Sequence, residues 1–150
     1  MTQQLTRPTD LPAGHRRTVH VDVPFPRPTT VASTFRAAAR LLAANGHYQG
    51  DYLPDPFNRR LTTPDAERPL SIVAAIRCVV TGVPRRFDPL AEEAIKVLAG
   101  RLEVDGEPAW NDEPDNLAIH VANWGDVEGR TTECAVAVLY AAADATAVTL

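Results

Sequence analysis

Apolar positions recur at helical spacing in several separate runs of this chain. The densest is Pro69 to Gly82, where Ile72, Ala75, Ile76, Val79 and Val80 fall at i, i+3, i+4, i+7 and i+8, with Val73 and Cys78 widening the stripe. A helix apolar on nearly every side belongs inside a fold, so this run reads as a central core helix. Pro69 suits a first turn, Gly82 a left-handed end, and Arg77 is the one charge in the run.

More clearly two-faced patterns lie on either side. Val31, Phe35, Ala38, Ala39 and Leu42 form a stripe that Thr29 or Thr30 can cap and Asn45-Gly46 can end, with Arg36 and Arg40 on the outer face. Asp88 and Pro89 open a third helix, buried through Leu90, Ala94, Val97 and Leu98 with Ile95 and Leu102 beside that stripe, and with Glu92 and Lys96 as an outer i, i+4 pair. After an acidic loop with Asp105-Gly106 and Pro108, Pro114 opens a fourth, in which Leu117, Val121 and Trp124 share a face. Thr131 caps a fifth over Thr132 to Ala143, with Cys134, Ala135, Val138, Leu139 and Ala142 turned inward. Thr18 to Val23 alternates with period two and predicts a strand, for which Leu102 to Val104, the tail Ala147 to Leu150 or a second chain are candidate partners.

The expected architecture is therefore mainly α: one domain of about five helices around a central apolar helix, with a minor β element near the N-terminus. Residues 1–17 read as a flexible arm, 18–144 as the helical domain and 145–150 as a tail. A chain of 150 residues can bury a real core without staples, and both Cys78 and Cys134 read as buried reduced thiols. No run is long and apolar enough to span a membrane, and MTQQLTRPTD lacks a basic start followed by an apolar stretch, so the expected location is the cytoplasm.

Charge changes the picture. Met1 to Arg86 holds 12 Arg against 6 acidic residues, whereas Phe87 to Leu150 holds 3 basic against 13 acidic residues. Either two solvated faces of opposite sign attract each other across the fold, or the arginines await an acidic partner or a nucleic-acid backbone. Candidate residues for that face are Arg36, Arg40, Arg59, Arg60, Arg85 and Arg86. The helix pair 70–81 and 89–100 does not suit a helix-turn-helix, because Asp88, Glu92 and Glu93 would lead the second helix toward phosphate.

Catalytic patterns are sparse. The two serines, Ser33 and Ser71, are outside any Gly-x-Ser-x-Gly, and the four histidines and two cysteines show no metal-ligand spacing. No glycine-rich phosphate loop is present, and the sequence calls for no cofactor or metal. The long connection His47 to Arg68, rich in aromatic residues, and the corner Trp124 to Thr131 hold the remaining polar candidates. At the corner, Asp126 can satisfy the N–H groups that open the last helix and pair with Arg130, while Trp124 buries its ring. The same groups could instead hold an anion.

The segments Gly46-His47-Tyr48-Gln49-Gly50, Ser71-Ile72-Val73-Ala74-Ala75-Ile76, Trp124-Gly125-Asp126 and Gly129-Arg130-Thr131 resemble an uncharacterised family of small helical proteins from actinomycetes and their phages. Its pattern is a Gly-Trp-x-Gln-Gly-like turn, a core helix and a Trp-Asn-Asp followed by Gly-Arg-Thr, and this chain departs from it at His47 and Gly125. The resemblance covers about residues 30 to 143 and implies the fold without supplying an activity. The functional expectation is a non-enzymatic accessory or interaction module that meets a protein partner or itself. The first alternative is a small-molecule or anion-handling enzyme using His47, Asp51, Tyr52, Trp124, Asp126, Arg130 and Thr131. The second is non-specific nucleic-acid binding through the arginines. If the two candidate segments converge on an open pocket the enzyme gains; a filled interior favours the binding module.

Overall fold

The computed structural model describes residues 27–50, 64 and 67–148, and within them the chain forms five helices: α1 Val31–Asn45, α2 Ile72–Thr81, α3 Pro89–Ala99, α4 Pro114–Gly125 and α5 Thr132–Val148. The protein is a mainly α, single small domain. The 1–17 arm, the strand expected at Thr18 to Val23 and most of the long loop, including Asp51, Tyr52, Arg59 and Arg60, lie outside the described residues. Of the strand's candidate partners, Val104 pairs with Glu107 across the Asp105-Gly106 turn, and Ala147 and Val148 belong to α5.

Four of the five helices among the described residues start where a side chain satisfies a free N–H group. Thr30 and Ser33 form a reciprocal capping box on α1, each hydroxyl accepting the other's backbone N–H at 3.1 Å. Ser71 accepts from Ala74 N–H on α2, Asp88 from Leu90 N–H on α3, and Thr131 from Cys134 N–H on α5. Asn111 ties down the entry to α4, accepting from Glu113 N–H and from the Asn116 amide. Two boundaries differ from the sequence pattern. Pro69 precedes α2 rather than opening it, because Leu70 pairs with His47 and Ser71 takes the cap. The last helix runs to Val148, where a tail from 145 was expected, since its alanine-rich end contains nothing that stops a helix.

The core forms around α2. Ile72 to Cys78 are all buried, Ile76 completely, and Val79 and Val80 are half-buried against the same core. This helix packs on α1, α3 and α4, whereas α5 packs along α1. Both helices bury many small side chains, Ala32, Ala38 and Ala39 of α1 and Ala135, Ala142 and Ala143 of α5, together with Phe35, Leu42 and Leu139.

Three polar expectations are corrected. Glu92, expected to pair outward with Lys96, instead takes Arg77 in a two-pronged bond, Nε to Oε2 at 3.0 Å and Nη2 to Oε1 at 2.8 Å, with the guanidinium 4.1 Å from the Phe87 ring centre. Arg77 is thereby buried without being left unpaired. Cys78 is buried as expected, but Cys134 is exposed, because the inward face of α5 is set by Ala135, Leu139, Ala142 and Ala143. Arg36 reaches Asp144 of α5 at 3.5 Å, so one arginine of the supposed partner face has a partner within the chain.

Candidate functional site

The two segments singled out in the sequence meet. Gly46, at φ 101°, turns the chain out of α1, and residues 46–50 then run between the start of α2 and the corner joining α4 to α5. On the α2 side, Tyr48 N–H donates to Leu70 C=O at 3.0 Å and Leu70 N–H to Gly46 C=O at 3.3 Å. On the corner side, His47 N–H donates to Thr132 Oγ1 at 3.0 Å and Gly50 N–H to Asp126 Oδ1 at 2.9 Å.

Gln49 supplies the bond pair that the sequence did not flag. Its amide Nε2 donates to Gly125 C=O at 2.8 Å and to Val127 C=O at 2.9 Å. The end of a helix leaves carbonyls without intrahelical donors, and one primary amide has two N–H groups to offer. The same end is held from the other side by Arg130, whose Nε donates to Trp124 C=O at 3.0 Å while its guanidinium stacks 3.7 Å from the Trp124 ring centre. Asp126 thus binds the 46–50 strip where a bond to the opening of α5 was expected, and Thr131 caps that helix alone.

Gly125 is required by close approach. A Cβ there would lie 2.9 Å from His47 Nε2 and 3.2 Å from its Cε1, so the imidazole occupies the space a side chain would need. Burial against this surface lowers the His47 pKa from its ordinary 6.5; the Asp126 carboxylate works against the shift and Arg130 adds to it. At the start of α5, the exposed Cys134 accepts a hydrogen bond from the Thr131 hydroxyl at 3.2 Å, and this bond with the Thr131 backbone lowers the thiol's pKa.

His47, Trp124, Asp126, Arg130 and Thr131 are therefore brought to one joint, and Tyr52 lies outside the described residues. Gln49 and Thr132 complete the joint; the signal for them was the glycine-bounded strip itself, because a short segment held between Gly46 and Gly50 lies close to what it crosses. Of the arginines, Arg40 is exposed on α1 and shares a hollow of about 230 Å³ with Arg27, Thr29 and Ser33, while Arg85 and Arg86 are exposed on the turn after α2. No group of three or more potential metal ligands occurs among the described residues, and no helix among them is long and apolar enough to cross a membrane.

These features define a small five-helix domain fastened at one joint. Residues 26–145 match the model of DUF6197, a family of unknown function, and the chain belongs to that family. No curated protein and no solved structure shows significant similarity to it.

Proposed function

We propose that this domain is a non-catalytic interaction module whose joint at residues 46–50 and 125–132 is structural. The observation that carries this reading is how the joint's polar groups are engaged. The Gln49 amide holds the Gly125 carbonyl that ends α4 and the Val127 carbonyl of the turn beyond it, Asp126 holds Gly50 N–H, Thr132 holds His47 N–H and Arg130 holds Trp124. A catalytic or anion-binding site keeps donors and acceptors aimed at a vacant place, and such groups commonly cost the fold stability. Here they bond the chain to itself. The surface meanwhile leaves large apolar side chains in water, Trp110 at 87% exposure, Phe87 at 60% and Ile119 at 54%.

The test is thermal stability of Gln49→Ala and Asp126→Ala, each of which removes the bonding group from the joint. Each hydrogen bond lost at a structural joint costs about 1 kcal/mol, so each variant should melt at least about 2 °C below the parent protein. Melting temperatures that stay level or rise would overturn the reading, because relieving a functional site does that.

A second reading, contact with a nucleic-acid backbone, is supported by the Arg27 and Arg40 hollow and the neighbouring Arg27 bond to Val80 C=O at 3.3 Å beside the Arg85-Arg86 turn. It predicts binding to a mixed-sequence duplex at low salt that weakens steeply as salt rises; no binding at low salt removes it.

A further inference from the structure

The exposed apolar side chains are unevenly placed. Among the described residues, Trp110, Ile119 and Val127, three of the five large apolar residues that face water, fall in one stretch of chain between Leu102 and Gly129. The turn that carries Trp110 is bonded to the helix that carries Ile119. Asn116 of α4 donates its amide to Asn111 Oδ1 at 2.9 Å, which pins the Trp110-Asn111 turn onto the helix, and Ile119 lies one turn further along from Asn116. Asp115, Ile119 and Asn123 form the exposed i, i+4, i+8 stripe of α4, opposite the buried Leu117, His120 and Val121. An exposed tryptophan on a turn bonded to α4 and an exposed isoleucine on that helix offer apolar side chains on a fixed frame.

The charge along that stretch of chain, with the exposed Asp112, Glu113 and Asp115 following Trp110 directly, selects the occupant. From Leu102 to Gly129 the chain has eight carboxylates and no Lys or Arg. All eight are exposed, and the ion pairs between described residues, Arg36 with Asp144 and Arg77 with Glu92, involve none of them. A rim of one sign raises the encounter rate with the opposite sign and penalises like charge. A guanidinium can also stack on the open Trp110 ring.

We infer that the face formed by Trp110 and the Ile119 stripe of α4 docks a basic polypeptide segment of another protein, one that places an apolar side chain against Trp110 and arginine or lysine against the carboxylate rim. This rests on the reading of the domain as an interaction module and names the surface and the partner chemistry for it.

The experiment uses the full chain and two synthetic amphipathic peptides, both with leucine on one face, one with arginine and the other with glutamate on the opposite face. The protein's two tryptophans, one exposed and one stacked under Arg130, give separate indole N–H signals by NMR. The arginine peptide should shift the Trp110 indole together with the amides of Asp115, Ile119 and Asn123, leaving the Trp124 indole in place. The glutamate peptide should not bind. Trp110→Ala, which removes a side chain in water and so should keep the parent melting temperature, should weaken binding roughly ten-fold or more. Tyr140→Ala on α5 should leave it unchanged. Equal binding of an arginine-only peptide, undiminished binding by Trp110→Ala, or shifts centred on Arg27 and Arg40 would overturn the inference. So would concentration-dependent shifts of these signals in the protein alone, which would make the occupant a second copy. Any of these results combined with destabilised joint variants removes the surface while leaving the non-catalytic reading standing.

Discussion

Arg77 sits on the most apolar helix of the chain, and its side chain is 7% exposed. A lone charge there would cost several kcal/mol, so what makes the position tolerable is Glu92, itself 22% exposed, meeting the guanidinium edge-on. Glu92→Ala should lower unfolding free energy by about 3 kcal/mol by removing the carboxylate that faces the buried Arg77 guanidinium. The apolar pair Arg77→Met with Glu92→Leu should lose far less than the two single changes combined. Additive losses in denaturant titration would mean the two residues do not act as a pair. His47 gives a pH dependence of definite sign. Its folded-state pKa is depressed, mainly by burial, so the unfolded chain takes up this proton first. The contribution to stability is intact above 6.5 and is lost as pH falls from there through the lower folded value. An NMR titration of the His47 ring should show its midpoint below 6.5; a midpoint at or above that value would contradict the burial.

At the scale of the element, legibility followed the contrast between faces. In α1 and α3 an apolar stripe borders charged residues, and the sequence pattern located both helices and most of the buried side of α1, while in α3 Leu90 and Val97 are only half-buried and Ala91 and Ala99 are buried with Ala94, Ile95 and Leu98. In α5 the residues are alanine and valine nearly all round, so periodicity predicted a helix but could not choose its inner face. Cys134 was assigned inward and Ala143 overlooked for that reason. The pairing of α5 with α1 was equally hidden, because small side chains carry little signal in sequence while allowing the closest helix approach. Ala39→Leu tests the seam. An added isobutyl group at a completely buried alanine should cost roughly 1–3 kcal/mol. No loss in a denaturant midpoint would show the seam to be loose.

Across the whole molecule, the opposite charges of the two halves resolve into separate structures. Part of the arginine surplus is turned to structural use, Arg77 on Glu92, Arg36 on Asp144 and Arg27 on the end of α2, whereas the acidic stretch after Leu102 stays in water. The sequence showed the imbalance but not this division, which depends on which carboxylates folding brings within reach. The joint was legible as a set of motif residues and illegible as a joint, because its bonds cross more than seventy positions of chain. One strip thereby fixes the end of α1, the start of α2 and the corner between α4 and α5. Native-state amide hydrogen exchange of His47 and Gly50 tests this most directly, since each N–H is bonded to a side chain from the far end of the sequence. Both amides should be strongly protected in the parent protein, and Thr132→Val should release His47 and Asp126→Asn should weaken Gly50. Exchange at the rate of an open loop, unaffected by either substitution, would contradict the account.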